Sequence, residues 1–163
     1  AAGAAGVWRG GREVPADQHR QHDLGAGGDR TLQARRDAFL TSEMGKGVRD
    51  LLELREILHK FHAKYGSYPK SVGFDGFRTC WGRSAPDWIP GLVPEFLREL
   101  PRERRMSELC NTQYYYMSDG TNYKLISHEP AELTEVVSLF PEMFDPKRPY
   151  YAFGIWTREW RTK

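Results

Sequence analysis

The side chains in this chain that could do chemistry are few and scattered. Cys80 and Cys110 belong to no CxxC pair and lie far from any histidine at metal-binding spacing. Two readings follow for them: a disulfide closing a loop of about thirty residues, worth ~3 kcal/mol, or two unrelated thiols. His59 and His62 stand three apart, as do His19 and His22. That spacing suits two ligands of a metal site, but no nearby pattern supplies a third and fourth, so both pairs read as solvated or boundary histidines. Glu95, Glu99, Glu103 and Glu108 are the candidate carboxylates. Glycoside hydrolysis needs two carboxyls converging on one cleft, and nothing in this spacing separates the four from a solvated face. A nucleophile elbow, a P-loop, an HExxH and a Rossmann fingerprint do not occur. The expectation is a protein that is not an enzyme, with no catalytic residue, no metal and no cofactor.

Aromatic residues are the other chemical resource, at 13% of the chain. Phe74, Phe77, Trp81 and Trp88 crowd a loop-like stretch from Ser67 to Pro90, punctuated by GFDGF and SAPDW. They read first as a cluster tucked beneath the loop. The alternative is an exposed platform for a sugar ring or a peptide, with Trp81, Trp88, Trp156 and Trp160 as its recognition residues. Arg102, Arg104 and Arg105 form a small basic cluster that Glu103 and Glu108 dilute, and a net charge of +2 leaves no nucleic-acid footprint.

The element that must position these residues is Arg49 to Pro69, RDLLELREILHKFHAKYGSYP. Leu51, Leu54, Leu58, Phe61 and Tyr65 recur at steps of three and four, which predicts an amphipathic helix from near Gly47 with those five as its packing face. Glu56 and Lys60 fall outside that stripe, acid first, the favourable order for a helix pair. Gly66 and Pro69 supply the stop. With 163 residues, 39% apolar and 28% charged, one globular domain fits.

Upstream, residues 1–43 are rich in Gly, Ala, Arg and Asp and show no sustained apolar period. They read as a poorly ordered leader, helical from about Thr31, that need not be native, with residues 44–163 as the domain. No run of about 18 apolar residues and no signal-peptide pattern occurs. Downstream, Leu92 to Leu100 (LVPEFLREL) reads as a short helix stopped by Pro101. Thr112–Ser118 and Thr121–Ser127 flank Asp119-Gly120, predicting a hairpin with a two-residue type I′ turn. Alternation places Tyr114 and Tyr116 on one face of the first strand, and Tyr123 and Leu125 on one face of the second. A short helix or irregular cover from about Ala131 follows, then a last strand over Tyr150–Thr157. The fold class is therefore α+β: a long N-terminal helix packed on a small antiparallel sheet.

Three phrases in this order resemble the soluble headpiece of type IV pilin-like proteins, most closely the pseudopilins of type II secretion systems. The helix ends in G-x-YP (Gly66, Tyr68, Pro69). The phrase before the sheet reads LVP-x-F-L-x-x-LP (Leu92, Val93, Pro94, Phe96, Leu97, Leu100, Pro101). The hairpin reads Y-x-Y-x-S-DG-x-x-Y-x-L (Tyr114, Tyr116, Ser118, Asp119, Gly120, Tyr123, Leu125). The resemblance covers residues 49–127. Family members begin with a basic leader and a long apolar helix, and residues 1–43 stand in that place with another composition. The resemblance implies a structural subunit, periplasmic or extracellular and membrane-associated where the native N-terminal helix exists. Its partners would be other pilin-like subunits or secretion-apparatus proteins. It also favours the bond between Cys80 and Cys110. Some members carry a calcium loop near the C-terminus; DPKRPYY, with Asp145 the only aspartate after Asp119, has too few oxygen ligands to require one.

Overall fold

A computed structural model describes the backbone of residues 17–163 and the side chains of residues 28–163. The expectations for residues 1–16, and for the side chains of His19 and His22, lie outside the described residues. The chain divides into two units, Ala1–Ala34 and Arg35–Lys163, and the second carries every element after the first helix. Helices α1 (Asp17–Thr41), α2 (Lys46–Tyr65) and α3 (Leu133–Leu139) accompany strands β1 (Gln113–Ser118), β2 (Tyr123–His128) and β3 (Ala152–Trp156). The fold is α+β, with one antiparallel sheet in the order β1-β2-β3. Among the described residues no helix is long and apolar enough to cross a membrane.

One correction concerns the start of the chain. Helix α1 begins at Asp17, well before Thr31, so α2 is the second helix rather than the first. A tight elbow separates the two. The Ser42 hydroxyl accepts the Gly45 amide at 3.2 Å and caps the 3-10 turn Glu43–Gly45. Arg49 Nη1 donates to the carbonyls of Leu40 and Ser42 at 2.5 and 2.6 Å, satisfying groups that the end of α1 leaves open.

Helix α2 forms where its period predicts and stops at Gly66, whose φ of 77° closes a left-handed cap on the His62 carbonyl. Its buried residues are Gly47, Val48, Leu51, Leu54, Ile57 and Leu58. The expected packing face thus holds at Leu51, Leu54 and Leu58 and fails at its far end. Phe61 is only half-buried and Tyr65 is 49% exposed. A 20-residue helix is about 30 Å long and a six-residue strand about 20 Å, so the last turns overhang the sheet. There Phe61 packs on Phe96 at 5.7 Å, and Lys64 and the Tyr65 hydroxyl both bond Glu95.

Register assigns the sheet faces. Tyr116 pairs with Leu125, Ser118 with Tyr123, and Tyr114 with Ser127, while Leu125 and Ser127 pair with Ile155 and Phe153. Opposed residues share a face, so these aromatics and aliphatics form one side. That side meets α2: a Cβ on Gly47 would sit 3.2 Å from the Phe153 ring and 3.7 Å from the Tyr114 hydroxyl, and Tyr114 donates to Asp50 Oδ2 at 2.7 Å. The hairpin turn differs from expectation. Four residues, Asp119–Asn122, connect the strands, because Asp119 Oδ1 accepts the amides of Thr121 and Asn122 at 2.9 and 2.8 Å. Only Gly120 has positive φ. The register slides by two, which preserves every side-chain face.

A further correction falls on Leu92–Leu100, which is a single turn and not a helix: the Leu92 carbonyl accepts Phe96 at 2.8 Å and Leu97 at 3.3 Å, and the pattern goes no further. A nine-residue segment gains too little from its own hydrogen bonds to stay helical when packing prefers otherwise. Each sheet edge carries one isolated bridge to a neighbouring loop, Asp75 with Tyr116 on β1 and Phe144 with Phe153 on β3.

Candidate functional site

The second face of the sheet is built from Tyr115, Ile126, Ala152, Lys124 and His128, opposed across the strands. Loop rather than helix covers it. The loop 71–85 holds its shape through Asp75, which is fully buried. Its carboxylate accepts the amides of Val72, Gly73 and Arg83 at 3.1, 3.1 and 2.8 Å. Charge-assisted bonds of this kind are among the strong ones. Glycine is required at Gly76, where a Cβ would come within 2.9 Å of the Tyr115 ring. Cys80 and Cys110 form a disulfide with Cα atoms 5.7 Å apart, tying this loop to the segment leading into β1. The Tyr115 hydroxyl donates to the Cys110 carbonyl beneath it, and burial pushes the Tyr115 pKa well above its ordinary value.

A pocket of about 200 Å³ remains between loop and sheet, lined by Phe74, Trp81, Tyr115, Ile126, His128 and Arg148. Trp81 stands nearly perpendicular to Tyr115 at 5.4 Å and also lies 5.4 Å from His128. Half of Trp81 is open to solvent, at 53%. The Arg148 guanidinium sits 4.7 Å from the Phe74 ring centre. His128 Nδ1 lies 2.6 Å from the Asn111 carbonyl. A carbonyl only accepts, so Nδ1 carries the proton and Nε2 is the acceptor in the neutral ring.

Beside the pocket an ionic staple closes the same face. Lys124 and Asp145 are both fully buried. Lys124 Nζ donates to Asp145 Oδ1 at 2.8 Å and to the carbonyls of Arg161 and Lys163 at 2.9 and 3.1 Å, and lies 4.9 Å from the Trp156 ring. Three acceptors match the three hydrogens of an ammonium group. Burial holds the Lys124 pKa below its ordinary value, with Asp145 pulling the other way. Asp145, weighed above as a calcium ligand, is thus the partner of a lysine.

The four tryptophans proposed as a recognition platform do not gather. Trp88 is 1% exposed and belongs to the helix-side core, 6.4 Å from Tyr114. Trp81 is at the pocket. Trp156 lies opposite Lys124, four residues along β2 from His128, a separation of about 13 Å. Trp160 sits in the last 3-10 turn, with Lys163 Nζ 5.6 Å from its ring. His59 and His62 are exposed on α2, and no group of three potential metal ligands occurs among the described residues.

Of the four glutamates only Glu103 is buried, at 4% exposure. Its neighbour in charge is Glu132, 1% exposed, whose Oε2 lies 3.6 Å from Arg104 Nη2. Glu103 Oε1 and both Glu132 oxygens lack hydrogen bonds among the described residues. Burial raises the Glu103 pKa and Glu132 adds to the shift, while the Arg105 amide, Arg104 and Lys46 oppose it. Sequence reasoning missed Lys124, His128 and Glu132, because their partners lie far away in the chain; it also missed Asp75 and Arg148, although Asp75 bonds amides two, three and eight residues away. No protein-family model, no curated protein and no solved structure matches the chain.

Proposed function

We propose that the protein is a non-catalytic structural subunit, resembling a pseudopilin or minor pilin of a type II secretion or type IV pilus-like apparatus, that acts by protein–protein assembly. The observation that carries this reading is the junction of two phrases on which the resemblance rests. The Tyr68 amide of G-x-YP bonds the Gly120 carbonyl of the hairpin at 2.8 Å, and the Tyr116 hydroxyl bonds the Pro69 carbonyl at 2.7 Å. Tyr68 also packs edge-on against Tyr123 at 4.8 Å. The end of α2 and the hairpin tip are thereby one rigid corner, which suits a headpiece carried on a helix. The disulfide fits an oxidising compartment, periplasmic or extracellular. Exposed apolar residues such as Val72 (81%), Leu109 (71%) and Tyr150 (83%) are the natural contacts.

The test uses the complete native gene in its own host. Val72→Cys and Tyr150→Cys variants are crosslinked in intact cells. The expected result is a covalent product containing another pilin-like subunit or a secretion-apparatus protein, together with loss of export or piliation on deletion. An uncrosslinked protein whose deletion leaves both intact overturns the proposal.

A further inference from the structure

We infer that the pocket between the disulfide-tied loop and the sheet binds a small ligand consisting of a six-membered ring that bears a carboxylate. This goes beyond the assembly reading and does not depend on it. Size sets the first limit: about 200 Å³ is below the range of pockets for drug-sized ligands and admits one ring, not a peptide. Shape sets the second. Phe74, Trp81 and Tyr115 offer flat walls, with Ile126 among them and Trp81 upright and half exposed at 53%. Charge sets the third. The titratable and charged side chains lining the pocket are Arg148, His128 and the neutral Tyr115, and no carboxylate is among the lining residues.

Arg148 is pre-oriented for an anion. Its Nη1 is held by the Lys163 carbonyl at 2.8 Å and by Asp145 Oδ2 at 3.4 Å, and Phe74 supports the guanidinium plane. Nε and Nη2 carry no hydrogen bond among the described residues. A guanidinium fixed on one side and free on the other matches the fork geometry by which arginine takes a carboxylate. His128 is fixed in the same way through Nδ1, leaving Nε2 to meet a hydroxyl or, when protonated, a carboxylate oxygen. Because Asp145 already faces Lys124 at 2.8 Å, its charge is partly matched and competes weakly for Arg148.

Two kinds of molecule share this chemistry, an acidic sugar and an aromatic acid, and the test separates them. The intact oxidised protein is titrated with glucuronate, benzoate, glucose and benzamide, following the indole and imidazole signals of Trp81 and His128 by NMR. The expected result is saturable binding of glucuronate or benzoate, at least about tenfold tighter than its neutral counterpart, as loss of a charge-assisted pair implies. Arg148→Gln abolishes that preference. Trp81→Ala, at a surface position outside the ionic staple, weakens the acid and neutral compounds alike while leaving the fold intact. Binding of glucuronate alone assigns a sugar site, and binding of benzoate alone an aromatic-acid site. Equal affinity for acid and neutral partners, or no saturable shift with either acid, overturns the inference.

Discussion

The two faces of this one sheet are covered by different means. On the first, α2 lays Val48, Leu51, Leu54 and Leu58 over Tyr114, Tyr116, Leu125 and Phe153, all of them buried. On the second, loop and chain end do the covering. They are held by a disulfide, a buried aspartate bonded to three amides, and a buried Lys124–Asp145 pair. A helix brings its hydrogen bonds with it and can present a continuous apolar stripe. A loop must find partners for its amides one by one, so its cover is polar and ionic. The pocket walled by aromatic rings lies on that second side, while wider clefts of about 690 and 320 Å³ flank α2.

The contrast can be broken from either side. On the helix side, Phe153→Ala removes a fully buried ring between α2 and the sheet and should cost about 3–5 kcal/mol in chemical denaturation. On the loop side, Asp145→Leu leaves Lys124 buried without its counter-ion and should cost about the same, ~3–5 kcal/mol. Adding Lys124→Met to that variant should recover most of the loss, whereas no second polar substitution should rescue Phe153→Ala. Replacing both Cys80 and Cys110 with Ser should cost about 3–4 kcal/mol, the loop-closure estimate for a sequence separation of 30, without altering the sheet. Asp75→Ala strands three loop amides and should cost ~2–3 kcal/mol, read as a lower denaturation midpoint.

The smallest effect concerns pH. The folded-state pKa of Glu103 lies above its ordinary 4.5, so the native protein keeps a proton that the unfolded chain releases first. Its contribution to stability is therefore full in acid. It is lost as pH rises from about 4.5 through the raised folded value, and is flat beyond. Glu103→Gln should remove that decline and leave stability at neutral pH equal or slightly higher, as measured by thermal unfolding across the range.

What the sequence made legible was local. The period of α2, its stop at Gly66 and the facing of Tyr114, Tyr116, Tyr123 and Leu125 depend on neighbours a few residues away, and those hold. Tyr65 was misplaced because a stripe says which side of a helix is apolar but not how far the surface beneath it extends. The hairpin kept its faces although its turn is longer, since a slip of two preserves alternation. Trp88 is buried, as the first reading of its loop had it, whereas Trp81 is half exposed, and a tryptophan in a loop carries no local mark of its depth to separate the two. Lys124 alternates onto the face opposite Leu125, where solvent would ordinarily lie. Asp145 and the return of the chain to Arg161 and Lys163 enclose it, all of them distant in sequence.

Hydrogen exchange measured on the oxidised and the reduced protein bears most directly on the two-cover architecture. Reduction should release the amides of residues 71–86 and 107–111 while Val48–Leu58 and the three strands stay protected, because the helix holds its face without the disulfide. Rapid exchange along Val48–Leu58 before reduction, or loss of protection in α2 together with the loop on reduction, would contradict it.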